Sequence, residues 1–230
     1  MSIKKLFVCG DSFCVKDPEF GKNWVDFIEQ QRPNLSITNL SIVGASNYLV
    51  YLQVKHAIKE GCDYIIYNAT SSIRHEFSTG VCSKSERDQY TRYDNIVSLA
   101  KNKPMISASW VNPSVFWNFN QQDLSIVNNY AKHLLDMPNL VEKNYIYILH
   151  TLNLLEKSNI KWAWSRGGFE HKNFYSQLEN NWDFYQYIDH ETTFNLWDEY
   201  VPNTHRPYFH VTNEEASKRI CNDYIKMLNL

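Results

Sequence analysis

Short apolar runs alternate with segments of helical periodicity along this chain, and that alternation restricts its fold more than any other feature. The first run ends at Gly10 and is followed by polar residues, as expected of a strand that is buried on both faces. Runs with the length and the β-forming residues of strands occupy residues 6–9, 36–40, 63–67 and 160–164. The intervening segments carry apolar residues at helical spacing.

Helix signals separate these strands. Asn47 is expected to cap a helix that continues through Lys59, and Gly61 stands where a helix terminator belongs. Thr212 and Glu215 form a capping-box pattern ahead of the last helix. Further helices are predicted after Trp24, over residues 123–135 and from Pro138 onward.

Strands that alternate with helices form a mostly parallel sheet with helices on both faces. We therefore predict a single α/β domain over residues 1–230, a three-layer sandwich of the flavodoxin-like type. Segments 71–122 and 166–205 have weak periodicity and many polar residues, so we interpret them as insertions, the first of which contains loops.

Charge and cysteine content exclude several function classes. The 230 residues carry a net charge of −2, which predicts no general attraction to nucleic acid or to an anionic membrane. The five cysteines are odd in number and lack CxxC spacing, so we expect reduced thiols. No signal-peptide core follows the first residues, which favours a cytoplasmic protein. The oligomeric state is not indicated.

Polar residues that follow the predicted strands are the candidates for chemistry. Ser12, Gly44 and Asn68 each come after a strand, and ligands of parallel sheets bind beyond the carboxyl ends of the strands. A serine hydroxyl needs a neighbouring base to become a nucleophile. His210, two residues before the predicted cap of the last helix, can supply that base, and we prefer it to His205. The alternatives are a capping serine and a surface histidine.

These residues carry a family resemblance. The sequence Gly-Asp-Ser-Phe at 10–13 resembles the first block of the SGNH/GDSL hydrolases, whose serine is the nucleophile. Segment 41–46 resembles the second block, which implies that the backbone N–H of Gly44 donates to an oxyanion hole together with that of the serine. Asn68 occupies the position of the third block, whose asparagine adds a side-chain N–H. His210 resembles the fifth block. Segment 70–77 looks like a stretch of phage- and bacterium-encoded members.

One departure from the family pattern affects the mechanism. Family members usually place an Asp three residues before the catalytic His, and here that residue is Pro207. A backbone carbonyl can hold the imidazole in a Ser–His dyad, or an acid such as Asp198 or Glu199 can replace the missing one. The third explanation is a degenerate site. Losing the acid of a triad can cost about 10⁴-fold in turnover.

Other residues near the strand ends have open roles. Asp11 and Arg74 are candidates for substrate binding, and a structural salt bridge is the alternative for Arg74. Catalysis by the thiols of Cys9 or Cys14 is disfavoured, because Cys9 belongs to the predicted buried strand. The dense aromatic residues between 169 and 197 can form a sugar-stacking lid, although such residues more often pack an irregular segment.

The resemblance implies a serine esterase that hydrolyses carbohydrate O-acetyl esters, lipid esters or simple acyl esters. Among these, the aromatic segment favours O-acetylated glycans. No Gly-rich phosphate loop, dinucleotide fingerprint or His-Glu-x-x-His motif is present, so neither a nucleotide nor a metal cofactor is implied. The rival hypothesis is a non-catalytic protein that keeps the SGNH scaffold for binding, for example in a phage particle. Host cytoplasm or the virion is then the expected location.

Overall fold

The computed structural model describes residues 3–15, 22–42, 45–70, 72, 74–78, 105–109, 133, 136–165, 193–194 and 214–230. The strands are β1 Lys4–Cys9, β2 Leu35–Asn39, β3 Tyr64–Asn68, β4 Arg74–Ser78, β5 Met105–Ser109, β6 Lys161–Ser165 and β7 Thr193–Phe194. The helices are α1 Trp24–Gln31, α2 Asn47–Lys59, α3 Met137–Glu156 and α4 Glu214–Leu228.

The main sheet of the described chain is parallel throughout, with strand order β2-β1-β3-β6-β7. β1 lies between β2 and β3, and Val8 pairs with Asn39 on one side and Ile66 on the other. The predicted parallel α/β architecture is confirmed. The central strands are apolar on both faces, because helices cover both.

Each face of the sheet has its own core. Phe7 and Cys9 of β1 point toward α2 and α3, whereas Leu6 and Val8 point toward α1 and α4. This division follows from the two-residue period of a strand, which sends neighbouring side chains to opposite faces. Tyr224 of α4 packs its ring against Trp24 of α1 at a centroid distance of 4.8 Å, which joins the two helices over the second face.

Helix α2 has the predicted range but a different cap. The Ser46 side chain accepts a hydrogen bond from the Leu49 N–H and is the N-cap, whereas Asn47 is the first helical residue. The prediction of Asn47 as the cap is therefore wrong. Both residues favour caps, and the choice was decided by tertiary contacts, because the buried Asn47 amide binds Thr70 instead. Gly61 has φ +69°, the left-handed conformation expected after a helix end.

Segment 71–122 contains an antiparallel strand pair that the sequence analysis did not predict. β4 and β5 form a second, two-stranded sheet, with Arg74 opposite Ser109. The interpretation of the segment as an insertion that contains loops stays a prediction. Of the helix predicted over 123–135, the described residue His133 is helical. The predicted Thr212 cap and most of segment 166–205 lie outside the described residues.

Candidate active site

Ser12 lies in a tight turn at the carboxyl end of β1. Residues Ser12–Cys14 form a 3-10 turn whose N-cap is Asp11, and the Asp11 Oδ1 accepts a hydrogen bond of 3.1 Å from the Phe13 N–H. The Trp24 indole N–H donates to the Phe13 carbonyl at 3.0 Å, which ties the turn to α1. Ser12 is 9% exposed, so only a small part of this residue is accessible to solvent.

Gly10 lets the turn approach β3 closely. A Cβ atom at Gly10 would stand 2.6 Å from the Cys14 Sγ and 3.1 Å from the Asn68 Cβ, so a larger residue does not fit without movement. The Gln53 side chain of α2 binds both backbone groups of Gly10. Its Oε1 accepts from the Gly10 N–H at 2.7 Å, and its Nε2 donates to the Gly10 carbonyl at 3.1 Å. Both backbone polar groups of Gly10, the residue before Asp11, are therefore held by one side chain.

The loop that carries Gly44 is anchored beside the same strand end. Gly44 itself lies outside the described residues, but its neighbours are placed. The Ile42 N–H donates to the Gly10 carbonyl at 3.2 Å, and the Ala45 N–H donates to the Ile42 carbonyl at 3.1 Å. The segments before and after Gly44 are therefore held next to the Ser12 turn. The donor role of Gly44 stays a prediction.

Asn68, the last residue of β3, is completely buried. Its Oδ1 accepts hydrogen bonds from the Ser165 and Tyr224 hydroxyls. Its Nδ2 is buried without a nitrogen or oxygen partner among the residues that the structure describes. The side chain hydrogen-bonds the Cys14 thiol in the turn that carries Ser12, and it is shielded from solvent. Its place in an oxyanion hole remains a prediction.

The cysteines next to Ser12 are poor nucleophiles. Burial raises the pKa of the Cys14 thiol well above its ordinary value, and the nearby Asp11 charge raises it further, against hydrogen bonding from Ser41 and Asn68. Burial likewise raises the pKa of Cys9, which lies in β1. A thiol with a raised pKa carries little thiolate at neutral pH. Both cysteine side chains therefore act as small core residues.

Asp11 and Arg74 form a buried ion pair. The Arg74 Nη1 lies 3.0 Å from the Asp11 Oδ2, and the two side chains are 5% and 1% exposed. The same Nη1 lies 2.6 Å from the Ala45 carbonyl oxygen and 2.6 Å from the Thr70 Oγ1. The Thr70 hydroxyl in turn donates to the Asp11 Oδ2 at 2.7 Å. This geometry favours the structural salt bridge over substrate binding by Asp11 or Arg74.

Two buried amide side chains complete this polar cluster, Asn47, which the sequence analysis predicted only as a helix cap, and Asn144, for which it predicted no role. The Asn47 side chain holds the backbone of Thr70, accepting from its N–H at 2.9 Å and donating to its carbonyl at 2.8 Å. The Asn144 Nδ2 of α3 donates to the Arg74 carbonyl at 3.1 Å. Both residues lie on the buried faces of their helices, and a buried amide in an apolar stripe is the signal that could have identified them.

The predicted base His210, Pro207 and the candidate acids Asp198 and Glu199 lie outside the described residues. The helix that follows them is placed. The Tyr224 hydroxyl of α4 reaches Asn68 at the carboxyl end of β3, and the Leu230 carbonyl accepts from the Arg32 side chain beyond the end of α1. Helix α4 therefore runs from the carboxyl edge of the sheet toward its amino edge. Its first residue, Glu214, is on the Ser12 side.

Comparisons with known proteins support the fold. No family model matches the chain, and no curated protein sequence matches it. Among solved structures, the chain is similar to a "putative lipolytic protein of G-D-S-L family" from Desulfitobacterium hafniense DCB-2, with a TM-score of 0.50 and 10% identity. The match covers 97% of this chain and 99% of that one.

The structural similarity extends over nearly the whole chain. Among the described residues, no helix is long and apolar enough to cross a membrane, and no three His, Cys, Asp or Glu side chains are grouped to hold a metal ion. The chain therefore has the fold of a G-D-S-L family protein, with its Gly-Asp-Ser turn directly after the first strand of the parallel sheet.

Proposed function

We propose that this protein is a serine esterase that hydrolyses acyl esters through Ser12 and His210. The observation that carries the proposal is the Ser12 turn. It stands at the carboxyl edge of a parallel sheet, where such folds bind ligands, and three segments of the predicted site are hydrogen-bonded around it. The fold shared with a lipolytic G-D-S-L protein supports the same reaction class.

In the proposed reaction, His210 takes the proton of the Ser12 hydroxyl as the oxygen attacks the ester carbonyl. The backbone N–H groups of Ser12 and Gly44, with the Asn68 amide, stabilise the negative oxygen of the tetrahedral intermediate. His210 then gives the proton to the leaving alkoxide, which departs as the alcohol. Water attacks the acyl-enzyme by the same route, and the acid is released with Ser12 restored.

The direction of α4 supports His210 as the base. Glu214 begins this helix on the side of the sheet where Ser12 lies, and His210 precedes Glu214 by four residues. Four residues of extended chain span at most about 14 Å. This short connection is compatible with the proposal that His210 acts on Ser12.

The proposal also covers the group that orients the His210 imidazole and the class of substrate. A backbone carbonyl in a dyad, or Asp198 or Glu199 as a substitute acid, would orient His210 in place of the residue that Pro207 replaces. We favour O-acetylated glycans as substrates, because sugar rings stack on aromatic side chains of the kind concentrated between residues 169 and 197. Pro207 and the altered third block, in which Ala69 follows Asn68, favour a non-catalytic scaffold instead.

Labelling with a fluorophosphonate probe tests the proposal. The activated serine should displace fluoride and be modified, and peptide mass mapping should place the adduct on Ser12. Ser12→Ala should abolish labelling and lower p-nitrophenyl acetate turnover by at least about 10³-fold, with a nearly unchanged Tm. Ser36→Ala, an exposed serine in β2, is the matched control and should behave as wild type. Unlabelled Ser12 with no turnover of any acyl ester would favour the non-catalytic scaffold.

A further inference from the structure

Arg74 joins the three chain segments that surround the Ser12 turn. Through one nitrogen it contacts the Asp11 carboxylate before Ser12, the Ala45 carbonyl after Gly44, and the Thr70 hydroxyl after β3. These segments are far apart in sequence, with 63, 29 and 4 positions separating Arg74 from its three partners.

The surroundings of Arg74 indicate a structural anchor and not a substrate-binding group. The residue is 4% exposed, so a substrate anion could reach the guanidinium only after the Asp11 contact is broken. A buried cation is stable only when it is paired and hydrogen-bonded, and Arg74 meets both conditions inside the protein. Its planar group with several N–H donors can bind partners in fixed directions, which the single ammonium of lysine does less well.

The partners of Arg74 are themselves fixed to the helices on one face of the sheet. Asn47 of α2 holds both backbone groups of Thr70, and Asn144 of α3 binds the Arg74 carbonyl. Gln53 of α2 holds Gly10, two residues before Ser12. A displacement of Arg74 therefore changes the position of two loops relative to a fixed helical layer, and it does so next to the proposed nucleophile.

We infer that Arg74, paired with Asp11, is a positioning residue that holds the Ser12 turn in a fixed position relative to the segments that begin at Ala45 and end at Thr70. This inference rests on the proposed esterase function, in which the Ser12 N–H is an oxyanion donor. Arg74 does not touch the substrate. It binds the residue before Ser12 and the residue after Gly44, so that these neighbours of the proposed donors are fixed before the reaction begins, as preorganised oxyanion stabilisation requires.

Kinetics of Arg74→Met and Arg74→Lys test the inference, with Lys4→Met as the control for loss of an exposed cation. A neutral ester, p-nitrophenyl acetate, and an anionic one, p-nitrophenyl hemisuccinate, are compared at a temperature where circular dichroism shows every variant folded. Arg74→Met should lower kcat by about 10²-fold or more for both esters while KM changes less than about threefold. Arg74→Lys should recover part of kcat, because the charge beside Asp11 is kept.

Two kinetic outcomes would overturn the inference. If KM rises for the anionic ester alone, Arg74 binds substrate. If kcat stays near wild type in the fully folded variants, Arg74 contributes stability only. Either result leaves the esterase proposal intact, because wild-type turnover and Ser12 labelling establish that proposal separately.

A second measurement does not depend on activity and keeps the inference testable if the wild type hydrolyses no ester. Amide hydrogen exchange should become at least about tenfold faster in Arg74→Met for Cys14, whose N–H donates to the Asp11 carbonyl, and for Ala45, whose N–H donates to the Ile42 carbonyl. The Leu40 N–H, which donates to the Val8 carbonyl, should keep its protection and serves as the internal control. Unchanged exchange at Cys14 and Ala45 would refute positioning by Arg74 regardless of the protein's activity.

Discussion

Two aspartate–cation pairs lie at opposite edges of the parallel sheet, and they differ in almost every physical respect. At the amino edge, the Lys4 Nζ lies 3.3 Å from the Asp63 Oδ1, with side chains 54% and 36% exposed. At the carboxyl edge, Asp11 and Arg74 meet at 3.0 Å with side chains 1% and 5% exposed. The charges are equivalent, and only the surroundings differ.

The two pairs show how an exposed ion pair differs from a buried one that the protein stabilises with further hydrogen bonds. Water solvates the Lys4–Asp63 pair, so the attraction is weak and salt screens it. The Asp11–Arg74 pair has lost its water, and protein groups supply the hydrogen bonds instead. A protein keeps a desolvated ion pair at a cost in free energy, and here the pair adjoins the proposed nucleophile.

The largest expected difference between the two edges is in the free energy of unfolding. Arg74→Met leaves the Asp11 carboxylate buried without its cation and should destabilise the protein by about 3–5 kcal/mol. The double variant Asp11→Asn with Arg74→Met removes both charges and should regain part of that loss. Urea unfolding measures both. A loss below about 1 kcal/mol in Arg74→Met, similar to that expected for an exposed pair, would contradict the difference between the buried and the exposed ion pair.

Glycines at the two edges sharpen the comparison with a smaller effect. Gly10→Ala places a methyl group against the Cys14 Sγ and the Asn68 Cβ, and overpacking of this kind should cost about 1–3 kcal/mol. Adding Cys14→Ala should restore part of the stability. Gly61→Ala has no neighbour within 4 Å, but it strains a positive φ and should cost about 1 kcal/mol. Thermal unfolding distinguishes the two cases, because Cys14→Ala should not rescue Gly61→Ala.

The smallest effect is expected for Asp63→Asn, at less than about 1 kcal/mol. The Lys5 backbone N–H, and then Lys4, lower the pKa of Asp63 in the folded protein. A carboxyl with a lowered folded pKa stabilises the protein above its unfolded pKa of about 3.9, and this contribution is lost as the pH falls through the folded value. Urea midpoints measured between pH 6 and pH 2 should therefore fall less steeply in Asp63→Asn. Parallel curves would contradict this assignment.

The sequence predicted the sheet well because its signals are local. The described strands of the main sheet that were predicted begin and end within a residue or two of the apolar runs, since the runs of β1, β3 and β6 are buried on both faces. The β4–β5 pair was missed because its residues, Arg-His-Glu-Phe-Ser and Met-Ile-Ser-Ala-Ser, show little of the alternation that identifies a strand. Their pairing depends on a partner about thirty positions away.

The sequence predicted at which edge of the sheet the candidate site lies, but not which side chains contact one another there. Ser12 and Asn68 were found because parallel strands direct their carboxyl ends to one edge. The pairing of Asp11 with Arg74 and the cap at Ser46 depended on tertiary contacts that no local pattern contains. Asparagine, for example, is a common helix cap, and only the tertiary structure shows that the Asn47 amide binds the Thr70 backbone instead.

Gln53 has a consequence for the substitutions that this fold tolerates. Its amide offers one acceptor and one donor to the backbone of Gly10, so a helix side chain takes the place that a neighbouring peptide group would have at the end of β1. Glutamate has the same size but cannot donate, and asparagine is one methylene shorter. Position 53 should therefore vary much less among descendants of this sequence than a polar residue on a helix ordinarily does, although it lies far from Ser12 in the chain.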